Sequence, residues 1–159
     1  MDHNGAHHGW LMLDFVLNGR PVEHPGGVTL LHALRGDFGL NGPRFGCGAE
    51  ACGACHVLVD GKSVPSCVLA VEAVAGREVV TLEGLGSRAT PHPLQAAFLA
   101  EQAGQCGWCL SGILISAAAL LRSVPQPEEA EVREALQPHL CRCGSHNRMI
   151  RAVLQAAGR

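Results

Sequence analysis

Arg44-Phe45-Gly46-Cys47-Gly48-Ala49-Glu50-Ala51-Cys52-Gly53-Ala54-Cys55 is the stretch from which the rest of the chain can be read. Its three thiols stand in the spacing C-x4-C-x2-C, and a fourth, Cys67, follows downstream. This is the plant-type spacing for four cysteine thiolates around a [2Fe–2S] cluster. Gly46, Gly48 and Gly53 allow the backbone positive φ angles and a close wrap around a bulky anionic object. A loop so folded turns its N–H groups inward, as in the backbone nests that receive anions.

Upstream of this loop, Leu11, Leu13, Phe15 and Leu17 recur at period two and predict a first strand. Asn18-Gly19 is a hairpin-turn signal, and Val22 lies in the return strand, which Pro25-Gly26-Gly27 ends. Thr29 can cap a helix carrying Leu30, Leu31, Ala33 and Leu34 on one side, closed by Gly36 and Gly39. Downstream, residues 57–59 form a strand, and Asp60-Gly61 turns it back towards Val64. Val79, Val80 and Leu82 predict a closing strand. Two hairpins, one helix and a last strand describe a small β-grasp sheet with the cysteine loop at its edge.

The pattern changes after Gly84-Leu85-Gly86. Leu94, Ala97, Phe98 and Glu101 predict a helix behind Pro91 and Pro93. Residues 107–121 form a second helix, apolar on nearly every side and therefore internal. Residues 128–136 form a third, with acidic residues in the first turn, where the macrodipole favours them. Residues 147–157, with Ile150, Val153 and Leu154, form a fourth. The fold class expected is α+β: an N-terminal β-grasp, ferredoxin-like domain over 1–86 and a C-terminal four-helix domain over 87–159, with 87–90 as the linker. Residues 1–9 are expected to be a disordered tail; His3, His7 and His8 could bind metal only weakly.

The helical half carries a second cysteine set. Cys106-Gly107-Trp108-Cys109 precedes the internal helix and Cys141-Arg142-Cys143 precedes the last one. Helix N-termini offer free N–H groups and a positive dipole end to thiolates. Two loops giving two thiolates each can hold one [2Fe–2S] core; taken alone, they could also hold a structural zinc ion, a reading that the plant-type set beside them disfavours. A Rieske centre would need two histidines in place of two cysteines. His56 and His139 lie near thiols but not in that pattern, and read as ordinary residues at the surface or beside the ligands. The second site is expected to be the more buried of the two, because its loops sit against the apolar helix.

Eight cysteines among 159 residues with no apolar leader in residues 1–9 argue for metal ligation rather than disulfides. The expected location is cytoplasmic, with export to the periplasm as a folded complex on a partner's signal left open. The net charge of −2 provides no basic stripe for nucleic acid. The longest apolar run, 107–121, is shorter than the roughly 20 residues that span a bilayer. Arg142, Arg148 and Arg151 form either a solvated helix face or a partner contact. No nucleophile–base constellation stands out, so no substrate chemistry is placed on this chain.

With both cysteine sets in this order, the chain resembles the small iron–sulfur subunit of molybdenum hydroxylases, the xanthine oxidase family. Phe45-Gly46-Cys47, Cys52-Gly53-Ala54-Cys55, Gln105-Cys106-Gly107-Trp108-Cys109 and Leu140-Cys141-Arg142-Cys143 carry the resemblance, which runs from about Leu11 to Leu154. It implies two [2Fe–2S] clusters: one on Cys47, Cys52, Cys55 and Cys67, the other on Cys106, Cys109, Cys141 and Cys143. It also implies a large partner subunit holding molybdopterin, in its cytosine dinucleotide form, with Gln105 and Cys143 contacting the pterin. Leu110-Ser111-Gly112 and Gly144-Ser145-His146 depart from the commonest family pattern. They are similar to the branch of isoquinoline and nicotinate oxidoreductases and some aldehyde dehydrogenases. The substrate implied is an N-heteroaromatic or an aldehyde, and the electron acceptor a cytochrome c or a flavin. Phe45, Trp108 and the Arg142 region are candidates for the face against the large chain. The alternatives from other classes are a free-standing ferredoxin-like carrier or iron–sulfur regulator, and a zinc-stabilised interaction module.

Overall fold

Two turns set the register of the sheet. Asn18 (φ 51°) with Gly19 (φ 76°), and Asp60 (φ 48°) with Gly61 (φ 79°), each place two residues in succession at positive φ. That backbone matches the twist of the strands on either side. The first joins β1 (Leu13–Leu17) to β2 (Arg20–His24), closing on Leu17 opposite Arg20. The second joins β3 (His56–Val59) to β4 (Lys62–Pro65), closing on Val59 opposite Lys62. The computed structural model describes residues 12–159; the expected tail over 1–9 and the strand position of Leu11 lie outside the described residues.

The closing strand β5 (Glu78–Val80) enters the middle of the sheet, parallel to β1 and antiparallel to β3, giving the order β2-β1-β5-β3-β4. Its central place explains the burial of Val79, with Val57 and Val59 beside it. The helical stretch beneath this sheet differs from expectation. Thr29 does cap it, its hydroxyl accepting from the His32 N–H, but α1 (Leu30–His32) widens at once into a π-helical turn over Ala33–Asp37. Leu30, Ala33 and Leu34 still face the core. Leu82 is not in the last strand. After Thr81 the chain coils into a short α2 (Leu82–Leu85), where Glu83 turns back to accept N–H bonds from Asn41 and Gly42.

The helical half follows the expected order with shifted bounds: α3 (Pro93–Ala100), α4 (Leu110–Ser123), α5 (Glu129–Leu136) and α6 (His146–Ala156). α4 begins three residues later than its apolar run, because Gly107 at φ 76° ends any helix there and Cys109 is the N-cap. Glu128 caps α5 through a capping box with Glu131. Leu94, Phe98, Ile113, Val132, Met149 and Val153 form a core separate from that of the sheet. The two halves meet where α4 lies on β3 and β4. Among the described residues no helix is long and apolar enough to cross a membrane.

Candidate metal centres

All eight cysteines are free thiols, and the fold brings them together in pairs. In the sheet domain the Cys47 thiol stands beside that of Cys52, and Cys55 beside Cys67. In the helical half Cys106 stands beside Cys143, and Cys109 beside Cys141. Among the described residues no three donors converge on a point suited to one metal ion. Thiols gathered two by two suit a diiron rhomb, whose two irons take two thiolates each.

Local backbone explains how the first loop presents its sulfurs. Gly48 (φ 67°), Glu50 (φ 57°) and Gly53 (φ 73°) coil the chain around Cys47. The Ala49 and Ala51 N–H groups donate to Cys47 Sγ at 3.3 and 3.2 Å, and the Cys47 N–H donates to Cys52 Sγ at 3.4 Å. Gly46 leaves room for the second sulfur: a Cβ there would lie 2.6 Å from Cys52 Sγ. The donated N–H of Ala49, with the neighbouring Cys52 thiol, lowers the Cys47 pKa to about 7. Burial pushes the Cys55 thiol the other way, to about 11.

The second set repeats the arrangement on helix starts. The Trp108 N–H lowers the Cys106 pKa, while burial raises that of Cys109 to about 12. At Cys141 burial works upward, but the Ser145 N–H, the Cys109 thiol and the N–H groups of Cys143 and Gly144 together outweigh it and the pKa falls. These sulfurs open on a cleft of about 460 Å³ lined by Cys106, Trp108, Cys109, Leu140, Cys141 and Arg142. Four thiols, inward N–H donors and a roomy cleft fit a cluster held by thiolates.

The expectation that this second site is the more buried is not met within the chain. Cys55 and Cys67 are both buried in the first set, but only Cys109 in the second. The apolar part of α4 packs into the domain core, and the cysteine loops lie at its outer end. The Gln105 side-chain amide donates to the Cys143 carbonyl at 3.4 Å; Gln105 is exposed and Cys143 half-buried. Phe45 and Trp108 are exposed, as expected of a partner face, and Arg142 with them. The Arg148 side chain donates instead to the Gln102 carbonyl, and Arg151 pairs with Glu101.

The two loops touch. The Leu140 N–H donates to the Cys52 carbonyl at 3.1 Å, so one hydrogen bond links a residue of the first set to the neighbour of Cys141. The Arg44 guanidinium stands 5.2 Å over the Trp108 ring. His56 and His139 are not at the surface; both are buried in the seam between the halves. Burial, with the nearby His56 second, lowers the His139 pKa to about 4 and keeps the ring neutral at ordinary pH. Sequence reasoning missed this pair, since nothing local marks a histidine as a domain contact.

Fold and site together define a two-part iron–sulfur protein. Residues 15–81 match the family described as "2Fe-2S iron-sulfur cluster binding domain", and residues 81–154 match "[2Fe-2S] binding domain". The chain is 50% identical over 147 residues to one of the subunits of nicotinate dehydrogenase from Pseudomonas putida, covering 91% of this chain and 94% of that one. It is 45% identical to the alpha subunit of isoquinoline 1-oxidoreductase from Brevundimonas diminuta, covering 92% and 97%. Its fold superposes on quinoline 2-oxidoreductase from Pseudomonas putida 86 with a TM-score of 0.86, at 34% identity and 92% coverage of each chain. Aldehyde oxidoreductase from Desulfovibrio gigas matches with a TM-score of 0.88 at 34% identity, over 93% of this chain and 17% of that much longer one. The chain belongs to the iron–sulfur subunits of the molybdenum hydroxylases, and its role is electron transfer.

Proposed function

We propose that this chain carries two [2Fe–2S] clusters and relays electrons from a molybdopterin centre, in the cytosine dinucleotide form, on a large partner subunit to an external acceptor. The ligands are Cys47, Cys52, Cys55 and Cys67 in a domain over 1–86, and Cys106, Cys109, Cys141 and Cys143 in a domain over 87–159. When bound, each cluster supplies a one-electron store. The chain's own residues hold the sulfurs, line them with N–H donors and keep the two sites in contact. The observation that carries this reading is the pairing of eight thiols into two sets joined through the Leu140–Cys52 hydrogen bond.

The second set faces the partner. Its cleft is open on this chain, and Phe45 (62% exposed), Trp108 (51%) and Leu140 (67%) surround the two loops. Covering these side chains would bury Gln105 and the Cys143 carbonyl against the pterin. The relatives act, by their names, on nicotinate and isoquinoline. An N-heteroaromatic substrate is therefore favoured for the complex, with an aldehyde as the other class. The acceptor is a cytochrome c or a flavin, and the complex acts in the cytoplasm or, exported folded, in the periplasm.

The test is anaerobic co-expression with the large partner chain, followed by metal and sulfide analysis. About four irons and four acid-labile sulfides per chain, two per cluster, are expected. Two distinct electron paramagnetic resonance signals should appear on reduction. Zinc in place of iron, or thiols paired as disulfides, would overturn the reading.

A further inference from the structure

Four polar side chains from four separate segments meet in the seam between the sheet and helical halves. His56 Nδ1 lies 2.7 Å from Ser63 Oγ, and Ser63 Oγ 2.7 Å from Ser116 Oγ. Ser116 Oγ lies 2.7 Å from His139 Nε2 and 3.4 Å from His56 Nδ1. The two imidazole rings meet edge to face, their centroids 4.9 Å apart. His56, Ser116 and His139 are all buried. Ser116 Oγ is thus the hub: it comes from α4 and touches β3, β4 and the segment after α5.

Such a cluster is a poor way to gain stability. Buried polar groups cost free energy unless fully bonded, and His139 Nδ1 makes no well-formed hydrogen bond, with only the Gly53 backbone beside it. An apolar set of the same volume would hold the halves together at least as well. Hydrogen bonds do something apolar contacts do not: they fix register. His56 directly follows Cys55, and His139 stands two residues before Cys141. The network therefore ties a segment of the first thiol set to a segment of the second. The seam has no slack there. A Cβ on Gly112 would overlap the Gly53 carbonyl, and a Cβ on Gly53 would overlap the His139 ring.

We propose that Ser116, bonded to Ser63, His56 and His139, is a positioning residue that fixes the placement of one cysteine set relative to the other. Its function is the spacing across which electrons pass, not the integrity of either site. The inference rests on the two-cluster reading above.

The test uses the holo complex with its large partner chain, both clusters reduced. Magnetic coupling between two reduced clusters falls with the inverse cube of their separation and splits their resonance lines. Ser116→Ala should keep the parental iron and sulfide content and each cluster's own g values, yet lose or reduce the splitting. Gly112→Ala, which wedges the same seam, should reduce it further. Should Ser116→Ala not accumulate, Ser63→Ala removes two of the four contacts from a half-buried position and should show the smaller change. Parental splitting in a fully loaded Ser116→Ala or Ser63→Ala complex overturns the proposal, and so does loss of one cluster's iron with no change in placement. Absence of iron from the parent complex would instead sink the cluster reading, which the same metal analysis reports separately.

Discussion

At the scale of single residues, the sulfurs and the glycines that make way for them decide what the chain can bind. Cys109 is the most protected thiol of the second set and the N-cap of α4. Cys109→Ser should remove one cluster and leave the other, so iron falls from about four per chain to about two. Iron analysis with the resonance of the remaining cluster checks this; unchanged iron would exclude Cys109 as a ligand. Gly46→Ala acts by bulk rather than charge. Its Cβ would crowd Cys52 Sγ at 2.6 Å, so occupancy of the first site alone should drop, seen as loss of that cluster's signal. These residues were legible beforehand, because metal-ligand spacing and glycine are local signals. The seam histidines were not, because a buried histidine and an exposed one look alike in a string of letters.

Elements contribute through their caps and buried faces. α2 exists because Thr81 and Glu83 find partners: the Thr81 hydroxyl donates to the Glu83 carboxylate, which accepts from Asn41 and Gly42. Burial works to raise the Glu83 pKa, but these donors outweigh it and the pKa falls below its ordinary 4.5. A depressed carboxyl pKa contributes stability above the unfolded value and loses it as pH drops through the lower folded one. Glu83→Gln should therefore cost about 1 kcal/mol at neutral pH, the carboxylate being partly exposed. The difference should vanish as the medium is acidified well below pH 4.5, as denaturant melts at several pH values would show. A pH-independent difference would count against it. Ile113 is wholly buried in α4, and Ile113→Ala should cost about 2–5 kcal/mol. The short α2 escaped sequence reasoning because four residues are too few for a period to be seen. The π turn after α1 escaped it because Gly36 signals only that a regular helix ends, not how.

The whole molecule is two cores joined along one seam, with both thiol sets near it and an apolar rim around them. Aromatic anchors at interface centres carry much of the affinity. Trp108→Glu should weaken association with the large partner chain by about tenfold or more, or about 1.4 kcal/mol, with iron content unchanged. Co-elution and binding measurements test this; undiminished association would move the docking face elsewhere. Produced without its partner, the chain should aggregate through Phe45, Trp108 and Leu140.

Thiol spacing, the Asn18-Gly19 and Asp60-Gly61 turns and the order of the strands and the longer helices were present in the sequence by itself. Each depends on residues a few positions apart, where φ preference and periodicity act. The meeting of the two cysteine loops was decided only by the tertiary structure. The Leu140 N–H reaches Cys52, and His139 reaches Ser116, across stretches of chain that carry no mark of each other. A hydrogen bond between distant segments depends on how two cores pack, and packing leaves no period for a sequence to display.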